Sequence, residues 1–69
     1  MEKETKLIEL GLKVKKIRKS KGMTQMELAH EIGKDHPSIN RLEKGKFNPS
    51  YIYLLEIADG LGISITELL

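Results

Sequence analysis

Residues 24–43 read Thr-Gln-Met-Glu-Leu-Ala-His-Glu-Ile-Gly-Lys-Asp-His-Pro-Ser-Ile-Asn-Arg-Leu-Glu, two short helices joined at Gly33. Thr24 and Glu27 have the spacing of a capping box, in which each side chain satisfies a backbone donor that the first turn leaves orphaned. Leu28, Ala29 and Ile32 then repeat at helical spacing, which gives that helix an apolar stripe. Gly33 takes the left-handed conformation that closes a helix at little steric cost. Asp35 suits the N-cap of the second helix, and Pro37 is tolerated in its first turn, where no backbone N–H is needed. Ile39 and Leu42 anchor the second helix by one face. His36, Pro37, Asn40 and Arg41 are left facing solvent or a ligand.

Helical signals continue on both sides. Leu7, Leu10, Val14 and Ile17 recur at i, i+3 and i+4, predicting a first helix from about Lys6 to Lys21 that stops at Gly22. The central pair spans about Gln25–Ile32 and His36–Lys44. Gly45–Pro49 reads as a loop, since Gly and Pro punctuate it. Ser50 caps a fourth helix with Tyr51, Leu54, Leu55, Ala58 and Leu61 along one side, and Gly62 ends it. Ser64 and Glu67 repeat the capping-box spacing over a short fifth helix carrying Ile65, Leu68 and Leu69. No alternating pattern suggests a strand. The expected fold is all-α, with five helices around one core and a single domain over residues 1–69.

A core made from 69 residues supplies only about 3–5 kcal/mol of net stability, so small scaffolds commonly need a staple. The chain has no Cys, which excludes disulfides and thiolate metal sites. Its two His lack ligand spacing, so neither a metal nor another cofactor is expected. Oligomerisation is the remaining staple. No run approaches the roughly 18 apolar residues of a membrane span, and Met1–Gly11 is charged rather than signal-like. A cytoplasmic protein is expected.

The net charge of +2 conceals an asymmetry. Residues 1–22 hold eight Lys/Arg and three Glu, giving +5; residues 23–69 hold four Lys/Arg and seven Asp/Glu, giving −3. A basic half facing nucleic acid is one reading. The other is that Lys13, Lys15, Lys16, Lys19 and Lys21 only solvate the outside of the first helix. An enzyme is not expected. Ser20, Ser38, Ser50 and Ser64 lack a His-and-carboxylate constellation, Asp35–His36 reads as a cap and a helix start, and Gly60-Leu61-Gly62 follows no strand.

Several motifs, in order, resemble one family. Gly22-Met-Thr-Gln-Met-Glu-Leu-Ala29, then Gly33, then Ser38-Ile-Asn-Arg-Leu-Glu-Lys-Gly45 are similar to the helix-turn-helix of phage repressors and Cro, the Xre-type regulators. Val14, Ile17 and Arg18 before them, and Asn48-Pro49-Ser50 and Leu61-Gly62-Ile63-Ser64 after them, extend the match over about residues 10–69. The resemblance implies a lambda-repressor-like fold whose third helix enters the major groove of double-stranded DNA. Base-facing positions then fall on His36, Pro37 and Arg41, with Asn40 beside them. The Arg41 fork suits guanine O6 and N7, a pairing worth about 1–3 kcal/mol of discrimination. Its alternative is a surface salt bridge to a nearby Glu. Pro37 departs from the polar residue usual there and offers only apolar contact to a thymine methyl.

Phosphate contacts are implied for Gln25, Ser38, Lys44, Lys46 and Asn48, and Gln25 also braces the reading helix in relatives. Arg18 is expected to bridge to Glu43, with a positioning purpose, and to touch a phosphate as well. Lys34 stands where the family usually has an apolar residue, and Met26 and Ile52 stand where it usually has polar ones. The resemblance implies a homodimeric transcriptional regulator on a near-palindromic operator, with Ile63, Ile65, Leu68 and Leu69 as the dimer surface or, alternatively, as closure of one subunit's core. Restriction-modification controllers and antitoxins share this pattern. No small-molecule effector site is expected. The competing function is a protein-interaction module of the same fold, antitoxin- or coactivator-like.

Overall fold

In the computed structural model, which describes residues 2–69, four α-helices surround one core: α1 (Lys3–Ser20), α2 (Gln25–Glu31), α3 (His36–Glu43) and α4 (Tyr51–Leu61). No strand occurs among the described residues. The expected fifth helix is a single 3₁₀ turn, Ile65–Glu67. Its capping box does form, with the Ser64 hydroxyl accepting from Thr66 and the Glu67 carboxylate accepting from the Ser64 N–H. The backbone bonds that follow join Leu68 to Ile65 and Leu69 to Thr66. These i→i+3 bonds wind the segment tighter than an α-helix.

α1 begins three residues before the expected Lys6, so residues 3–6 extend it, while Met1 lies outside the described residues. The Thr24–Glu27 box is complete: Thr24 Oγ1 accepts from the Glu27 N–H at 3.0 Å, and Glu27 Oε1 accepts from the Thr24 N–H at 2.8 Å. At the end of α2, Gly33 has φ +69°. There the Lys34 N–H reaches the Ala29 carbonyl and the Gly33 N–H that of His30, the paired closure that only a left-handed residue permits. Asp35 is the N-cap of α3 by backbone geometry, but its carboxylate makes no capping bond. It accepts instead from the Ser38 hydroxyl.

The core is Val14, Leu28, Ala29, Ile39, Leu42, Ile57, Ala58, Leu61 and Leu68. Two expectations are corrected here. On α4 the inward stripe is Leu54, Ile57, Ala58 and Leu61, whereas Tyr51 is 62% and Leu55 36% exposed. The spacing i, i+3, i+4, i+7 places Ile57 inside and turns Tyr51 and Leu55 outward. Leu68, expected at a dimer surface, is 2% exposed within one chain and closes that chain's own core. Ile63 and Ile65 pack partly against the core, and Leu69 remains exposed. Lys13 Nζ donates to the Leu69 carbonyl at 3.0 Å and ties this end of the chain to α1.

Gly11 fixes how α1 meets α3. A Cβ there would stand 2.5 Å from the Leu42 carbonyl oxygen and 2.6 Å from that of Glu43, closer than any side chain allows. The backbone of α1 thus lies directly against the C-terminal end of α3.

Candidate nucleic-acid interface

The face that α3 presents is held from behind by buried polar groups. Arg18, on α1, meets Glu43, the last residue of α3, in a two-pronged pair: Nε to Oε2 at 2.6 Å and Nη2 to Oε1 at 2.9 Å. A third donor, Nη1, reaches the Met23 carbonyl at 2.7 Å. The two side chains are 7% and 2% exposed. The bond from Glu43 raises the Arg18 guanidinium pKa above its ordinary value, against the opposing effect of burial. The expected bridge is present. Because it draws the guanidinium inward, Arg18 offers little to a phosphate.

Gln25 carries this junction to the surface. Its Nε2 donates to Glu43 Oε1 at 2.9 Å. Its Oε1 accepts from Asn40 Nδ2 at 3.2 Å and lies 2.9 Å from His36 Nε2. One side chain at the start of α2 therefore holds three positions on α3, at its beginning, middle and end. A shallow groove of about 640 Å³ runs past this point, lined by Lys19, Thr24, Gln25, Met26 and His36 among others.

Beyond the network, α3 is open. His36, Pro37 and Arg41 are exposed and Asn40 is half-buried. Arg41 makes no ion pair among the described residues. Ser38 is half-buried and its hydroxyl is engaged by Asp35. That bond is the main reason the Asp35 carboxyl lies below its ordinary pKa. Lys44, Lys46 and Asn48 are exposed where the chain leaves α3. Gly45, with φ +74°, turns the chain there, and the Lys46 N–H closes on the Arg41 carbonyl at 2.9 Å. The residues selected for DNA contact thus gather on α3, the segment that follows it and the start of α2, apart from Arg18, which turns inward.

One junction escapes sequence reading. Lys34 Nζ pairs with Glu56 Oε1 at 3.1 Å and lies 5.2 Å from the centre of the Tyr53 ring. Phe47 meets the same ring edge-on at 5.0 Å. At position 34 a cation–π approach and an ion pair thus stand where the resemblance implies an apolar contact. Burial pushes the Tyr53 phenol up, and its buried hydroxyl has no hydrogen-bond partner among the described residues. No spacing rule links position 34 to 53 and 56.

The helix-turn-helix family matches residues 14–68, most of the chain. The chain belongs to the helix-turn-helix family of DNA-binding transcriptional regulators. Among relatives of this regulator, control protein C.MunI from a Mycoplasma species is 40% identical over 62 residues, covering 88% of this chain and 84% of that protein. An uncharacterised HTH-type transcriptional regulator, y4dJ of Sinorhizobium fredii, is 37% identical over 59 residues, covering 86% and 77%. Among solved structures, the restriction-modification controller C.AhdI from Aeromonas hydrophila superposes with TM-score 0.90 at 32% identity, covering 91% of this chain and 96% of that one. The C.Esp1396I controller tetramer, in complex with its natural 35 base-pair operator, gives 0.81 at 32% identity, covering 91% and 93%.

Proposed function

We propose that this regulator binds its operator as a homodimer, each subunit laying α3 in the major groove. The observation that carries this reading is the division of α3 into two faces. Ile39, Leu42 and Glu43 are buried, while His36, Pro37 and Arg41 are exposed with Arg41 unpaired among the described residues. The major groove, about 12 Å wide, accepts one helix, whose first turns reach base edges. Arg41 is the main base contact, with His36, Pro37 and Asn40 around it. Gln25, Lys44, Lys46 and Asn48 hold phosphates on either side, and each neutralised phosphate steepens the log–log salt dependence by about 0.9.

Two subunits related by a two-fold axis present their α3 copies about 34 Å apart, one turn of DNA, and so call for a near-palindromic site. With Leu68 internal, the apolar surface left for pairing includes Leu69 with the edges of Ile63 and Ile65, and the outer side of α4 at Tyr51, Ile52 and Leu55. The similarity to control proteins in sequence and fold favours a controller-type autoregulator, set by its own concentration. We read the protein as cytoplasmic and non-catalytic. No described helix is long and apolar enough to cross a membrane.

Selection of bound sequences from random duplex DNA tests the proposal. A two-half-site motif, relaxed at one position by Arg41→Ala, is expected. No enrichment at low salt with ample protein contradicts it and returns the protein-interaction module.

A further inference from the structure

We propose that the buried Arg18–Glu43 pair, acting through Gln25, fixes the hydrogen-bonding polarity of His36 and so makes it a selector for bases bearing an amino group. The inference deepens the reading of α3 as the groove-entering helix and rests on it. It follows from one chain of donors and acceptors in which each link leaves the next no choice.

Arg18 is a cation under all ordinary conditions and has only donors to offer. Glu43, held by two of them, is a carboxylate and has only acceptors. Gln25 must therefore turn its amide nitrogen toward Glu43, as its 2.9 Å contact to Oε1 records. Its carbonyl oxygen is then directed at Asn40 and His36, so both must donate to it. Asn40 does so with its amide nitrogen. His36 meets the same oxygen through Nε2 at 2.9 Å, which requires the proton to sit on Nε2. In a neutral imidazole one nitrogen donates and the other accepts. Nδ1 is then a bare acceptor, and it has no hydrogen-bond partner among the described residues.

An acceptor at the start of a groove-reading helix discriminates between bases. In the major groove the hydrogen-bond donors are the adenine N6 and cytosine N4 amino groups, while guanine and thymine present acceptors at O6, N7 and O4. His36 therefore favours adenine or cytosine at its base step. It complements Arg41, which has only donors and favours guanine. The two exposed readers on α3 carry opposite polarity, one by its own chemistry and one imposed from the core.

Two measurements on the full chain test the relay. Nitrogen-15 spectra of the imidazoles, read in the neutral form of the ring, should show His36 protonated on Nε2 alone. Gln25→Met, which keeps the length and removes the amide, should release the ring into exchange between both tautomers. A proton on Nδ1, or a ring unaffected by Gln25→Met, overturns the relay. For the base step, the duplex position relaxed by His36→Ala is rebuilt with purine for adenine or pyrimidin-2-one for cytosine. The wild type should then bind about 5- to 150-fold more weakly, the range of one good base contact, and His36→Ala should not respond to the change. A wild-type preference for guanine or thymine there, or no position relaxed by His36→Ala, overturns the proposal while DNA reading stands. Failure to select any duplex overturns both.

Discussion

α3 is held at both ends by a charged pair, and the two pairs differ in almost every physical respect. At its C-terminal end, Arg18 and Glu43 are 7% and 2% exposed, two-pronged, and continued by Gln25. Just before its N-terminal end, Lys34 and Glu56 are 31% and 42% exposed and meet at one point, 3.1 Å apart. Desolvated charges must stay paired, because a lone buried charge costs far more than the pair contributes. Exposed charges can return to water. The first junction therefore dictates where α3 lies, and the second only favours it. The reading face is set from the buried end.

Breaking the buried junction should have the largest effect. Arg18→Ala leaves the Glu43 carboxylate without its partner and is expected to cost about 3–5 kcal/mol of unfolding free energy, measured by denaturant titration. A cost below about 1 kcal/mol would make the two junctions equivalent. Gly11→Ala tests the same contact by crowding, since the new methyl meets two backbone carbonyls at 2.5 and 2.6 Å. Overpacking of this kind costs about 1–3 kcal/mol, and a melting temperature equal to wild type would place α1 further from α3. At the other end, Lys34→Ala should cost less than about 1 kcal/mol, with the difference shrinking as salt is added.

The smallest effect concerns Asp35. Ser38 lowers the pKa of its carboxyl in the folded state, so the bond favours folding above the ordinary carboxylate range. That contribution is lost as the pH falls through the lower folded value. Comparing acid denaturation of wild type and Asp35→Asn should show a slightly shallower pH dependence in the variant. A steeper one contradicts the assignment.

The parts legible in sequence are those that local geometry decides. Both capping boxes, the turn at Gly33 and the ends of α3 and α4 require only residues within a few positions of one another. The Arg18–Glu43 bridge is legible only through resemblance, because 25 residues separate its partners. The phase of α4 is not fixed locally, because both Leu54 and Leu55 fit an apolar stripe, and only packing against α2 and the last turn selects the one that includes Ile57. Leu68 looked available because a short apolar end reads the same whether it folds inward or meets a partner. Lys34 over Tyr53 and the close approach at Gly11 depend on helix placement, which no spacing encodes. The division of labour on α3 is legible, and resemblance gives Gln25 as its brace, but not the set of partners, Glu43, Asn40 and His36, that it joins.

The most direct test is the comparison of Arg41→Ala with Lys46→Ala on the selected operator and on single-base variants of it, across a salt series. Arg41→Ala should lose about 1–3 kcal/mol and relax preference at one base pair of each half-site, whereas Lys46→Ala should weaken all sequences alike and reduce the salt slope by about 0.9 per contact. If Arg41→Ala leaves base preference intact, α3 does not read the groove as described.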